Sequence, residues 1–135
     1  MFKLIKIVNS GVNVPEFVTL DKPSSLTIKQ GAALAIHDGL AAFCMDDETP
    51  THICAEVTRE NSDTVVCFEV NANMHFEVPL DSDPEGLSVG DLVSVSYDVD
   101  DCPVLVSPSV DVGQAVVVDL QGATAEGDKI TVKFK

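Results

Sequence analysis

Gly31-Ala32-Ala33-Leu34-Ala35-Ile36-His37-Asp38-Gly39-Leu40-Ala41-Ala42-Phe43 is the stretch on which the fold class turns. Its alanines favour a helix by intrinsic propensity. Asp38-Gly39, however, sits between two short apolar runs, and that dipeptide readily adopts the left-handed backbone of a two-residue hairpin turn. We read a hairpin, with a short helix as the alternative. Outward from it the chain is rich in β-branched side chains: 21 valines, 6 isoleucines and 8 threonines among 135 residues. Such side chains lose rotamer freedom in helices and pack well on pleated sheets.

Four segments alternate apolar and polar residues, as a strand with one dry face does. They are Ile130/Val132/Phe134, Met74/Phe76/Val78, Ile53/Ala55/Val57 and Val93/Val95/Tyr97. Two runs do not alternate, Val65-Val66-Cys67-Phe68 and Ala115-Val116-Val117-Val118, and these are expected to be strands covered on both faces. Turn residues recur between the runs, as at Asn9-Ser10-Gly11, Asp83-Pro84-Glu85-Gly86 and Glu126-Gly127-Asp128. The expected core contains Phe68, Val70, Phe76, Val93, Val95, Val117, Ile130 and Val132. A chain of this length buries about two-thirds of its extended surface, enough for one domain without staples.

Charge narrows the function classes. With 22 acidic and 8 basic side chains the net charge is −14. Phosphate binding depends on Lys and Arg displacing counterions, so a nucleic-acid surface is disfavoured, and so is adsorption to anionic membranes. No apolar run reaches the length of a membrane span, and the opening Met1-Phe2-Lys3-Leu4-Ile5-Lys6-Ile7-Val8 is not a signal peptide. Cys44, Cys54, Cys67 and Cys102 form no CxxC pair and are read as reduced thiols. The distribution of charge says more than its total. Residues 1–6 hold Lys3 and Lys6, and residues 129–135 hold Lys129, Lys133 and Lys135, with no acid in either segment. Such lysines either guard edge strands against aggregation or form one basic end that docks to an acidic partner.

Motifs for chemistry are missing. No G-x-S-x-G, Walker A or HExxH pattern is present, and His37, His52 and His75 sit in no recognisable nucleophile–base arrangement. His52, Cys54 and Glu56 share one face of an expected strand, but a second pair of close ligands is lacking. Asp81-Ser82-Asp83-Pro84-Glu85-Gly86 imitates the start of a calcium loop, yet position twelve is Leu92 where a bidentate Glu belongs. With one tyrosine (Tyr97) and no tryptophan, an aromatic sugar platform is disfavoured too. We expect no catalytic residue, metal, cofactor or small-molecule substrate.

In order along the chain stand Val14-Pro15-Glu16, Ile28-Lys29-Gln30-Gly31-Ala32-Ala33-Leu34 with Asp38-Gly39-Leu40, and Thr49-Pro50-Thr51-His52-Ile53-Cys54-Ala55. Val70-Asn71-Ala72-Asn73-Met74-His75-Phe76-Glu77, Val89-Gly90-Asp91-Leu92-Val93-Ser94-Val95 and Gly127-Asp128-Lys129-Ile130-Thr131-Val132-Lys133-Phe134 complete the series. In their order and spacing these motifs, over roughly residues 12–134, resemble the capsid decoration (head-stabilising) proteins of tailed bacteriophages. The acidic cluster Asp98–Asp101 with Cys102 departs from the pattern.

The resemblance implies an all-β, single-domain β-barrel or β-tulip-like fold with at most a short helix. It divides the chain into residues 1–11, an amino-terminal arm or edge strand, and residues 12–135, the decoration domain. It implies a virion structural protein, made in the bacterial host cytoplasm, that binds the outer capsid surface and stabilises contacts between major capsid subunits. The implied partners are the major capsid protein and copies of the same chain, with a homotrimer favoured. As in other such arms, Phe2, Lys3, Leu4, Ile5, Lys6 and Ile7 are the expected capsid-contact residues. The alternatives are another virion part, such as a connector or fibre base, and a small trimeric β-enzyme. The enzyme reading lacks a nucleotide motif.

Overall fold

The β-branched runs form strands throughout the computed structural model, which describes residues 1–8, 15–45, 48–56, 61–97, 104–109 and 112–135, Val104 and Leu105 by backbone alone. Val57, the Asn9-Ser10-Gly11 turn, residues 46–47, the acidic cluster at 98–101 and Cys102 lie outside these residues. In chain order the strands are β1 (Lys3–Ile7), β2 (Phe17–Asp21), β3 (Ala33–His37), β4 (Leu40–Phe43), β5 (His52–Cys54) and β6 (Thr64–Glu69). They continue as β7 (Met74–Pro79), β8 (Leu92–Tyr97), β9 (Val104–Pro108), β10 (Ala115–Asp119) and β11 (Lys129–Phe134). The described residues contain no helix.

Asp38 and Gly39 turn the chain with φ of 52° and 80°, both left-handed, and His37 pairs with Leu40 across the turn. That is a two-residue hairpin of the primed type, so turn chemistry overrides the helix propensity of the flanking alanines. Those alanines serve close packing instead, since Ala32, Ala33, Ala35 and Ala41 are all buried. Gly31, at φ +82°, opens the hairpin. A Cβ there would lie 2.5 Å from the Cβ of Met1, so its missing side chain is the space in which the amino terminus packs.

Among the described residues every ladder between strands is antiparallel, and one isolated bridge, Leu80 to Val106, is parallel. One sheet has six strands in the order β1-β7-β11-β10-β8-β9, and the other five in the order β2-β6-β5-β3-β4. Neither closes into a barrel. The larger sheet curls until Leu80, just past β7, bridges Val106 of β9, with the Asp81 N–H donating to the Val106 carbonyl at 3.0 Å. No ladder follows that bridge.

The sheets meet through phenylalanines. Phe68 of β6 stacks on Phe76 of β7, with ring centroids 6.2 Å apart and planes 5° from parallel. Phe134 of β11 lies 5.4 Å from Phe76, and Phe2 lies 4.9 Å from Phe134 and 6.0 Å from Phe76. Aromatic contacts of this kind add about 0.5–1.5 kcal/mol each beyond the area they bury. Polar ties reinforce the junction. The Tyr97 hydroxyl donates to the Cys44 carbonyl at 2.7 Å. Buried Gln114 accepts from the Val95 N–H at 3.0 Å and donates to the Met45 carbonyl at 3.2 Å.

Of the expected core residues, Phe68, Phe76, Val93, Val95, Val117, Ile130 and Val132 are buried, and Val70 packs half-buried against them. In the run Val65–Phe68, Val65, Cys67 and Phe68 are buried and Val66 is half-exposed, so the expected cover on both faces is nearly complete. The run Ala115–Val118 is not so covered. Ala115 and Val117 are buried while Val116 and Val118 stay half-exposed, so only one face of β10 is fully covered.

At the amino terminus, β1 is an edge strand of the larger sheet. Antiparallel pairing joins β1 to β7, the Phe2 N–H donates to the Gly31 carbonyl at 2.9 Å, and Val8 N–H donates to Asn73 at 2.7 Å. Phe2, at 2 % exposure, is a core residue. Phe2→Ala is therefore expected to cost about 3–5 kcal/mol, the usual toll for emptying an aromatic site in a core. Ile5→Ser, at 46 % exposure, is expected to stay within about 0.5 kcal/mol of wild type. Urea denaturation of the two variants checks the contrast.

Candidate docking surface

The register of β1 on β7 decides what the amino terminus presents. Lys3 pairs with Glu77 and Leu4 with Phe76, but Lys6 pairs with His75 and Ile7 with Met74. Ile5 is the extra residue of a β-bulge. Successive strand residues point to opposite faces, so Lys3 and Lys6 would otherwise lie on opposite sides. The bulge restores the phase, as an inserted residue does. Both lysines then share the outer face with Glu77 and His75, and Leu4 and Ile7 turn inward against the core.

On the other side of β7 lies β11, with Thr131 opposite Glu77 and Val132 opposite Phe76. Lys133 follows in that register and lies beside His75. The result is a row across adjacent strands: Lys6 paired with His75, then Lys133, one position beyond the Val132–Phe76 pair and close enough for its charge to act on His75, paired in turn with Val116 of β10, which pairs with Leu92 of β8. The next row carries Lys3, Glu77, Thr131 and Asp119. Lys129 contacts Glu77 at 3.5 Å, the single ion pair on this face among the described residues. Thr131 is covered by Gln121, whose Nε2 donates to its Oγ1 at 2.6 Å.

Four lysines of the two chain ends, of eight basic residues in all, thus lie on β1 and β11, the strands on either side of β7, and Lys135 follows directly after β11. Lys22 is not available to any surface. It is buried, and its ammonium donates to the carbonyls of Pro23, Leu26 and Ser62. Burial, with Lys6 and Lys133 alongside, holds His75 below the ordinary imidazole range.

Of the six expected contact residues, then, Lys3 and Lys6 lie on this face and Ile5 is exposed at the bulge. Leu4 and Ile7 face inward, and Phe2 presents no surface to a partner. His75, Val116 and Leu92 were not singled out by sequence as contacts. Alternation marked His75 as outward-facing, but its place between two lysines follows from strand order alone. A second feature adjoins β1, an apolar cleft of about 260 Å³ lined by Met1, Phe2, Leu4, Phe17, Ile53 and Phe68.

The groups weighed for chemistry stay apart. His37 contacts Glu48 at 2.7 Å, and that contact lowers the Glu48 carboxyl below its usual range. His52 shares a hydrogen bond of 2.8 Å with the Thr51 hydroxyl, and burial lowers its imidazole. The Cys54 thiol donates to the Glu56 carbonyl at 2.6 Å. Burial pushes the Cys67 thiol up to about 11 and raises Cys54 as well, which keeps both as protonated, poor nucleophiles. Cys44, Cys54 and Cys67 are buried thiols. Among the described residues no three His, Cys, Asp or Glu side chains are gathered in a metal-binding group.

No protein-family model matches the chain, and no curated protein matches it. Its fold is shared with the N base of the head fiber protein gp8.5 of bacteriophage phi29, known from a crystal structure. The TM-score is 0.55 at 15% sequence identity, over 89% of this chain and 95% of that one.

The two lowered histidines fix the sign of a pH dependence. His52 and His75 bind protons less readily folded than unfolded, so their contribution to stability is full above the unfolded value of 6.5. It is lost as pH falls through the lower folded values. The urea midpoint is expected to drop between pH 7.5 and 5.5, and His75→Gln to reduce that drop.

Proposed function

We propose that this chain is a virion structural protein of a tailed bacteriophage, carried on the outside of the head and stabilising contacts between major capsid subunits. The observation that carries the reading is the fold shared with a phage head-fiber base over 89% of the chain. The ordered motifs that resemble decoration proteins support the same role. So does the physical character of the molecule. A two-sheet core tied by phenylalanines gives a rigid body, and a net charge of −14 keeps crowded copies soluble and mutually repelling. The reading includes synthesis in the bacterial cytoplasm, assembly as a trimer and the major capsid protein as partner. It assigns no catalytic step.

A fibre base is the second reading, favoured by the identity of the structural neighbour. The two differ in what the head gains. A clamp bridges subunits and strengthens the shell, whereas a fibre base needs only to hold on.

Purified heads lacking this protein, mixed with it and sedimented, are expected to carry it at a saturable ratio. Under the clamp reading they release DNA at a higher temperature than bare heads. Binding without that shift favours the fibre base, and failure to co-sediment overturns both.

A further inference from the structure

We infer that the outer face of β1, β7 and β11 is the surface by which this protein docks, and that its partner there is an acidic protein patch on the head shell. The inference rests on the head-binding role proposed above and names the surface that serves it. Its first support is charge complementarity. In a chain of net charge −14, the row of Lys6, His75 and Lys133 contains no acid, Lys3 stands in the next row, and Lys129 and Lys135 lie on the same carboxy-terminal segment as Lys133. A carboxylate-bearing surface is drawn to this face and repelled by the rest of the molecule, which fixes orientation as well as encounter rate.

The second support is that the basic row continues into apolar residues. Val116 and Leu92 extend the line from Lys133, half-exposed although apolar, and Ile5 stands out at the bulge. A basic edge beside an apolar strip matches the mixed make-up of protein interfaces, in which an apolar centre is ringed by polar groups. Phosphate would gain nothing from the apolar strip. Glu77 and Asp119 in the next row also break the positive track that a nucleic-acid backbone follows.

The third support is the bulge itself. Without the extra residue at Ile5, Lys6 would point to the interior side of the sheet and Ile7 to solvent. The irregularity therefore both completes the lysine row and keeps the edge strand irregular, which hinders pairing with a stray strand. Docking through side chains on the sheet face, rather than through the strand edge, follows from this geometry.

The test compares wild type with Lys6→Gln/Lys133→Gln and with Ser25→Glu/Thr49→Glu, a control that makes the charge more negative by the same two units at exposed positions on other elements. Lys6→Arg/Lys133→Arg keeps the charge and is expected to retain binding, so the question stays answerable if the glutamine pair folds poorly. Each protein is titrated onto heads at 50 and 300 mM salt. Wild type and control are expected to bind alike and to weaken with salt. The glutamine pair is expected to bind at least about fivefold more weakly at low salt and to show a flatter salt dependence.

Equal binding by the glutamine pair overturns this inference and leaves the head-binding role standing. Failure of wild type to bind overturns that role instead. Two further results also overturn the inference. One is loss of self-association on sedimentation with head binding unchanged, which makes the face a contact between copies. The other is tight retention of wild type on DNA, which makes the partner a nucleic acid.

Discussion

The antiparallel pairing of β1 with β7 is the interaction on which the rest depends. On its inner side it carries Phe2 into the ring cluster of Phe76, Phe134 and Phe68, and so joins the amino terminus to both sheets. On its outer side the bulge at Ile5 brings Lys3 and Lys6 into line with the lysines of β11. One short edge strand therefore supplies core and surface together. Gly31 completes the arrangement by leaving room for Met1 and accepting the Phe2 N–H. Truncating such a strand would remove a core residue along with the lysines, so point substitutions on the outer face separate docking from folding more cleanly than a deletion does.

Much of this was legible in the sequence where one local rule decides the outcome. Asp38-Gly39 forces its hairpin because left-handed backbone at both residues is what a two-residue turn needs. Met74/Phe76/Val78 and Ile130/Val132/Phe134 alternate because one side of each strand is dry, and their burial follows the pattern. The clustering of lysines at both chain ends could also be seen, as it needs only the order of residues along the chain.

The rest depended on partners that lie far apart in the chain. Nothing in Leu4-Ile5-Lys6 announces a bulge, for the extra residue is neither glycine nor proline, and only the register against β7 reveals it. Phe2 reads as a sticky terminal residue until Phe76 and Phe134 are placed beside it. Val116-Val117-Val118 reads as a doubly covered strand because apolarity alone cannot say whether a second layer exists. In this fold the outer side of β10 is only partly covered, and half-exposed Val116 becomes part of the proposed docking surface. The acid-free row of Lys6, His75 and Lys133 needs three strands that are neighbours in space and distant in sequence.

These features describe a two-sheet body of net charge −14 that gathers lysines on one partly apolar face. That asymmetry would suit the single-orientation docking proposed above. The most direct measurement is a cryo-electron microscopy reconstruction of heads saturated with the protein, at a resolution that separates strands. The account predicts that the outer face of β1, β7 and β11 lies against the shell, with carboxylates of the capsid subunits opposite Lys6 and Lys133. A reconstruction with that face turned to solvent and the β3–β4 hairpin or another surface on the shell would contradict it.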